Sequence, residues 1–443
     1  MNDGKKNQDL VFELNGGMPR MAQALPLAFQ HIVAMVVGCV TPAIIIAGVA
    51  GLNPADKVII VQAALVISAL ATLLQVFPIR VKGIGLQIGA GLPLIVGVGF
   101  AYVTSMSTIV EGYGIATIFG AEIVGGLVAV LVGLSYNKIK MLFPPLVIGI
   151  VILCIGLSLY PIAIRYMAGG QSSPSYGSWQ NWFVAIVTLI IVVICNNFGK
   201  GIVKLASILI GIIAGYIIAF PFHMVDFSSI GQAGIVQLPK LMHFGIEFEF
   251  SSCVAIGLLF AINSLQAVGD VSATTIGGMD RDATSKEITG GILGFGISNI
   301  IGAFLGGLPN VTFSQNVGIV STTKVVNRWI AALAAIILGV AGIVPKFAAF
   351  LTSIPQCVLG GATLSVFAAI TVTGIRMISN AGLTARNTGI VGIAVALGSG
   401  LVQASDALGG SPAWVATIFA KTPVVVAALV AILLNLLLPK DKK

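Results

Sequence analysis

The sequence predicts an all-α membrane protein of about fourteen transmembrane spans, arranged as two inverted repeats of seven. Three observations predict it. Apolar residues make up 57% of the chain and charged residues only 9%, against about 25% charged in a soluble domain. Runs of roughly 17–25 apolar residues, enough to cross ~30 Å of hydrocarbon, recur throughout. The basic residues also divide between alternate loops as the positive-inside rule requires. A soluble enzyme is excluded, because a chain of 443 residues with so few polar side chains cannot cover its own surface.

In the first half the runs centre on 25–48, 58–77, 84–104, 115–134, 143–163, 181–196 and 204–222. In the second half they centre on 252–272, 288–305, 308–323, 328–345, 347–372, 386–403 and 422–438. Two halves with odd span numbers must run in opposite directions through the bilayer. With a cytoplasmic N-terminus, Lys57, Arg165, Lys240, Lys346 and Lys421 fall outside, and the other eighteen of the 23 Lys and Arg, Lys5, Lys6, Lys82, Lys140, Lys440, Lys442 and Lys443 among them, fall inside. A wrong span number would scramble that partition. Both termini are therefore expected in the cytoplasm of a plasma-membrane protein, and the polar stretch 1–22 lacks the pattern of a cleaved secretory signal. The short polar termini and absence of added domains suggest a bacterial source. The net charge of +8 belongs to this topology, since no stretch joins dense Lys and Arg to interleaved aromatics as a nucleic-acid partner would need.

The third and tenth spans look broken. The third carries Gly85, Gly89, Gly91, Pro93, Gly97 and Gly99; the tenth has Gly306, Gly307 and Pro309, followed by Ser314, Gln315 and Asn316 at mid-membrane depth. Interrupted segments at corresponding repeat positions point to a transporter's binding site, where half-helix N-termini and free backbone groups face a polar ligand. Taken singly, each could be a Gly-rich helix packed closely on its neighbours. Ionisable groups are costly in the bilayer, and three lie well inside the spans: His31, Glu122 and Asp270. The plain readings are a structural histidine for His31, a locally bonded or protonated carboxyl for Glu122 and a helix-linking hydrogen-bond acceptor for Asp270; the functional ones are a substrate or proton-coupling role for His31 and proton coupling for the two acids. Cys39, Cys154, Cys195, Cys253 and Cys357 are spaced singly, with no metal-ligand cluster, and read as small core residues. No HExxH, GxSxG or paired-acid motif supports an enzyme, and no cofactor is expected.

The run QNVGIVSTTK at 315–324 resembles the signature of the nucleobase–ascorbate transporters, with Gln315, Asn316, Gly318, Thr323 and Lys324 in place. Gln30-His31, Gly269-Asp270 and the GFAY stretch with Gly99 and Phe100 extend the resemblance over most of the chain. It implies a core of spans one to four (23–136) and eight to eleven (250–345), moving against a gate of spans five to seven (137–224) and twelve to fourteen (346–439). Substrate would lie between the short strands of the third and tenth spans. By the motif, Gln315 bonds the base, Asn316 supports it, Phe100 beside Gly99 offers a ring to stack on, and His31 and Asp270 support the site. The physical chemistry agrees, because a carboxamide can pair two-fold with the amide-like edge of a purine while an aromatic ring covers its face. Members with Gln-Asn here carry xanthine or urate. Dimers are usual in the family.

Two departures matter. The usual substrate-binding carboxylate falls on Gln266, and a second common acid falls on Phe295. The site then gains a donor and loses a negative charge, which favours an anionic base such as urate. Gln266 and Gln315 are expected to read the base together, and proton coupling to move to Asp270 or Glu122. The rival expectations are an uncoupled purine or uracil facilitator, a sodium-coupled carrier, and an anion transporter of the same fold.

Overall fold

The computed structural model describes residues 12–439 apart from 82, 84, 140–143, 172, 409, 412–414, 416–418 and 420–422, so that Lys5, Lys6, Lys82, Lys140, Lys421, Lys440, Lys442 and Lys443 lie outside the described residues. Helices of eight residues or more are α1 Met21–Val49, α2 Pro54–Val76, α3 Val103–Tyr113, α4 Ala116–Ile139, α5 Pro145–Met167, α6 Trp179–Phe198 and α7 Ser207–Ala219 in the first half. The second half has α8 Phe250–Met279, α9 Ser285–Phe304, α10 Ser314–Thr323, α11 Arg328–Ile343, α12 Pro345–Thr352, α13 Gln356–Asn380, α14 Ala385–Gln403 and α15 Pro423–Leu437. Among the described residues nine of these are long and apolar enough to cross a membrane, and the protein is a multi-pass membrane protein. The remaining predicted spans are realised as shorter or broken elements.

Local chemistry sets the helix starts. The Asn53 carboxamide accepts from Asp56 N–H at 2.9 Å, with Pro54 in the first helical position of α2. Thr284 and Glu287 form a reciprocal capping box on α9. Glu249 caps α8 by accepting from the backbone N–H and hydroxyl groups of Ser251 and Ser252 at 2.6–2.9 Å. Its partial burial works to raise the pKa, but those four hydrogen bonds outweigh it and hold the carboxyl below the usual range.

One expected span needs correction. The run 347–372 is two helices: α12 folds back at 84° to α11, and α13 begins only at Gln356. Pro345 and Pro355 lack the N–H that continuation of each preceding helix would require, so each opens a new helix instead.

The third and tenth spans are extended and then helical. The strands β3, Val96–Val98, and β4, Asn310–Thr312, pair antiparallel with Val98 opposite Asn310 and Val96 opposite Thr312. Gly99 N–H to the Pro309 carbonyl and Phe313 N–H to the Ile95 carbonyl, both at 2.9 Å, lengthen the ladder. A 3-10 turn at Phe100–Tyr102 leads from β3 into α3, and α10 follows β4 directly. Both half-helices therefore begin at the strand crossing, with the positive ends of their dipoles beside it. Ahead of β3, a small ladder of β1, Ile79–Arg80, and β2, Gln87–Ile88, turns the chain.

Irregular backbone at this depth must find partners within the protein. The buried Gln75 of α2 provides them. Its side-chain oxygen accepts from Ala90 N–H at 2.9 Å, its carbonyl from Gly91 N–H at 2.7 Å, and its amide donates to the Gly291 carbonyl of α9 at 2.9 Å.

Two packing groups result. α4 packs on α8 and α9, α2 on α11, and α1 on α2, α11 and β3. Separately, α5 lies along α13, α6 joins α13 and α7, and α14 packs on α15. The α5–α13 contact is close because Gly149 and Gly374 remove side chains where the two backbones meet.

Candidate functional site

The strand crossing gathers most of the predicted residues. Asp270, on α8, accepts hydrogen bonds from the hydroxyls of Thr312 at the end of β4 and Ser314 at the start of α10, the latter at 2.7 Å. Both carboxylate oxygens are thereby engaged, and the helix is fixed to the extended segment. Sequence reasoning missed this role of Thr312 and Ser314; polar residues alternating through T-F-S in an apolar run were the available signal. Asp270→Ala is expected to leave two hydroxyls without their charged acceptor and to cost about 1.5–3 kcal/mol per bond. Thermal unfolding of the purified protein should register the loss, and unchanged melting would refute the bracing role.

Asn316 is fully buried, and its amide donates to the His31 carbonyl at 3.0 Å and lies 3.1 Å from His31 Nδ1. That donor makes Nδ1 an acceptor and leaves the ring proton on Nε2. Asn316 and His31 thus join α10 to α1, a supporting position, and neither side chain is free to hold a base through these atoms. Gln30, next to His31, keeps a buried side-chain oxygen without a partner among the described residues.

Gln315 and Gln266 are arranged differently. Gln315 is exposed in the first turn of α10, and Gln266 is half-buried one helical turn before Asp270 on α8. Neither carboxamide is committed to a hydrogen bond among the described residues. Gly318, one turn after Gln315, faces open space: a methyl there would meet nothing within 4 Å. Gly99 is buried, its N–H is spent on Pro309, and an added methyl would press on Val311 at 2.8 Å, so it serves close approach of the strands. Phe100 is 7% exposed, and its ring meets Phe367 of α13 edge to face at 5.0 Å, on the boundary between the two packing groups.

The end of the motif is structural. Thr323 bonds back to the Ile319 carbonyl at 2.8 Å. Lys324 closes α10 in the left-handed region (φ 58°) and reaches Asp280, the left-handed cap of α8 (φ 50°), at 2.8 Å. Both partners are exposed, so the pair adds little stability.

Glu122 lies apart from this group. It is completely buried on α4, and neither carboxyl oxygen has a hydrogen-bond partner among the described residues. Phe295, in the place of an expected acid, is packed within the core against the Phe260 ring at 5.3 Å. An apolar cavity of about 360 Å³ between α1, α7 and α12 is no rival site. Its Thr41 and Tyr216 hydroxyls are already bonded, to the Val37 carbonyl and the Ser353 hydroxyl, and a base would find no hydrogen-bonding wall there.

Comparison with known proteins bears on the family and the fold. The model of the Permease family, Xan_ur_permease, matches residues 22–406. The xanthine permease XanQ of Escherichia coli is 32% identical over 97% of this chain and 94% of its own. The uric acid permease PucK of Bacillus subtilis is 34% identical over 93% of this chain and 95% of its own. Among solved structures, the transmembrane domain of the cyanobacterial bicarbonate transporter BicA aligns with a TM-score of 0.59 at 15% identity, covering 94% of this chain and 98% of that domain. The murine anion transporter Slc26a9 in its inward-facing state gives 0.63 at 11% identity, over 92% and 67%. Both share the fold of two seven-span repeats.

Proposed function

Since the chain belongs to this family, the nucleobase–ascorbate transporters, we propose that it carries a purine base, xanthine or urate, across a bacterial plasma membrane by proton symport. The observation that carries the reading is the pair of uncommitted carboxamides, Gln315 and Gln266, beside the strand crossing. Each offers one donor group and one acceptor, the complement of a purine's amide-like edges. The Asp270 carboxylate is engaged by hydrogen bonds from Thr312 and Ser314, which lessens its repulsion of an anionic ligand. The named activities of the xanthine and uric acid permeases support the substrate class.

In this reading α1 to α4 with α8 to α11 form the moving core, and α5 to α7 with α12 to α15 the gate. Phe100 and Phe367 then sit on the sliding boundary. The core carries the base past a fixed gate, with both termini in the cytoplasm, in a protein that works as a homodimer. Proton binding accompanies the base on the core.

The test is binding to purified protein of urate, xanthine, guanine, hypoxanthine, uracil and ascorbate, read as thermal shift across a pH series. Ligand at about 100 times its dissociation constant adds about 2.7 kcal/mol to stability. Urate or xanthine should raise the melting temperature most. Stabilisation by uracil alone, or by sulfate or bicarbonate in place of any base, would overturn the assignment of substrate.

A further inference from the structure

We infer that Glu122 is the proton-binding site, held with Tyr102, Asn263 and Asn310 in a polar chamber inside the core, behind the strand crossing and separate from the residues that would read the base. The inference rests on the proposed symport and says where the proton rides.

The chamber is built from four elements. Glu122 comes from α4, Asn263 from α8, Asn310 from β4 and Tyr102 from the turn before α3; they are 0%, 3%, 0% and 0% exposed. Among the described residues, seven of their side-chain polar atoms have no hydrogen-bond partner: both oxygens of Glu122, both amide atoms of Asn263 and of Asn310, and the Tyr102 hydroxyl. So many unmet groups together are exceptional in a buried interior. Glu122 and Asn310 converge beside Gly302 of α9, where a methyl would stand 3.4 Å from a Glu122 oxygen and 3.7 Å from the Asn310 amide nitrogen. The Tyr102 hydroxyl lies beside the Asn263 amide and near Glu122. The titratable group near Glu122 is Tyr102, and among the described residues no Lys, Arg or His pairs with it.

Elsewhere the same core shows what a purely structural polar residue looks like. Gln75 and Gln62 are buried too, yet their amides bond the Gly291 and Gly342 carbonyls at 2.9 Å. Asp270 has both oxygens engaged by hydroxyls. A permanent neutral brace at position 122 would be served by glutamine. An ionisable group with amide and phenol neighbours but no fixed partner suits a proton that comes and goes. The carboxylate takes the proton on one oxygen and can then donate to an Asn oxygen; on release, the Asn and Tyr donors can turn to the bare carboxylate. Asn310 pairs with Val98, and Tyr102 follows Gly99 and Phe100, so both states are felt by the strands that frame the base.

Glu122→Gln keeps size and hydrogen bonding and removes only the titration. In proteoliposomes under an inward gradient of about two pH units, wild type should accumulate xanthine or urate up to about 100-fold for one proton per base. E122Q should still exchange internal for external base but accumulate none, and pyranine inside the vesicles should report no proton entry with it. Accumulation by E122Q would overturn the inference while leaving symport intact. Absence of proton-driven accumulation in wild type would instead defeat the proposed symport itself, and accumulation driven only by sodium would assign the site's ion wrongly. If E122Q neither binds nor exchanges, Glu122→Asp decides: exchange recovered together with accumulation supports the site, and exchange without accumulation refutes it.

Discussion

Gln315→Ala is expected to weaken binding of xanthine or urate by roughly 30- to 1,000-fold, the consequence of losing about 2–4 kcal/mol when a two-fold amide pair is removed and the base edge is left unmatched. The effect should fall on binding and not on folding. Gln315 is exposed, while the neighbouring Ser314 and Asn316 keep their bonds to Asp270 and His31. Melting of the ligand-free protein should therefore stay within about 0.5 kcal/mol of wild type, as for surface changes generally. Gln315→Glu provides the contrast, because a carboxylate in that place should repel urate more strongly than xanthine. Radioligand binding to detergent-purified variants measures both. Wild-type affinity in the alanine variant would remove Gln315 from the site.

Gly89→Val should prevent folding altogether. Gly89 has φ +102°, a conformation that β-branched residues scarcely adopt. Its amide donates to the Gly290 carbonyl at 2.7 Å, which holds the broken span against α9. A Cβ there would run into the Leu74 carbonyl oxygen and stand 3.2 Å from the Pro78 Cα, backbone that cannot turn aside. Strain and overpacking together cost about 3–5 kcal/mol or more, a large share of a domain's net stability. The expected result is no monodisperse protein on size-exclusion chromatography. Gly112→Ala is the control: a methyl at Gly112 meets nothing within 4 Å, and that protein should behave as wild type. Normal yield and melting of G89V would show that the turn at 89–91 is less fixed than its contacts imply.

The two broken spans were legible because glycine and proline carry their backbone preferences in the sequence itself, and because polar residues at 314–316 are conspicuous in an apolar run. The division of 345–380 into α12 and α13 was marked by Pro345 and Pro355, but the apolar residues flanking Thr352 and Ser353 masked the signal. Side-chain partnerships were harder. Nothing in spacing joins Asp270 to Thr312, or Asn316 to His31, since the pairs lie 42 and 285 residues apart. Glu122 stood out as a charge in a span, whereas Asn263, Asn310 and Tyr102 are unremarkable alone and become a group only when four elements converge. Phe100 could be read as an aromatic near the site, but its engagement with Phe367 depends on the packing of α13.

The pairing of β3 with β4 also governs the order in which the protein can be made. Val98 leaves the ribosome 212 residues before Asn310, its partner, an interval of roughly 10–40 s at ordinary translation rates. During that time the extended segment would hold unpaired peptide groups in an environment that cannot solvate them. The first repeat is therefore unable to finish folding on its own. It must wait at the mouth of the insertion machinery, or borrow temporary partners, until the second repeat delivers the strand that completes it.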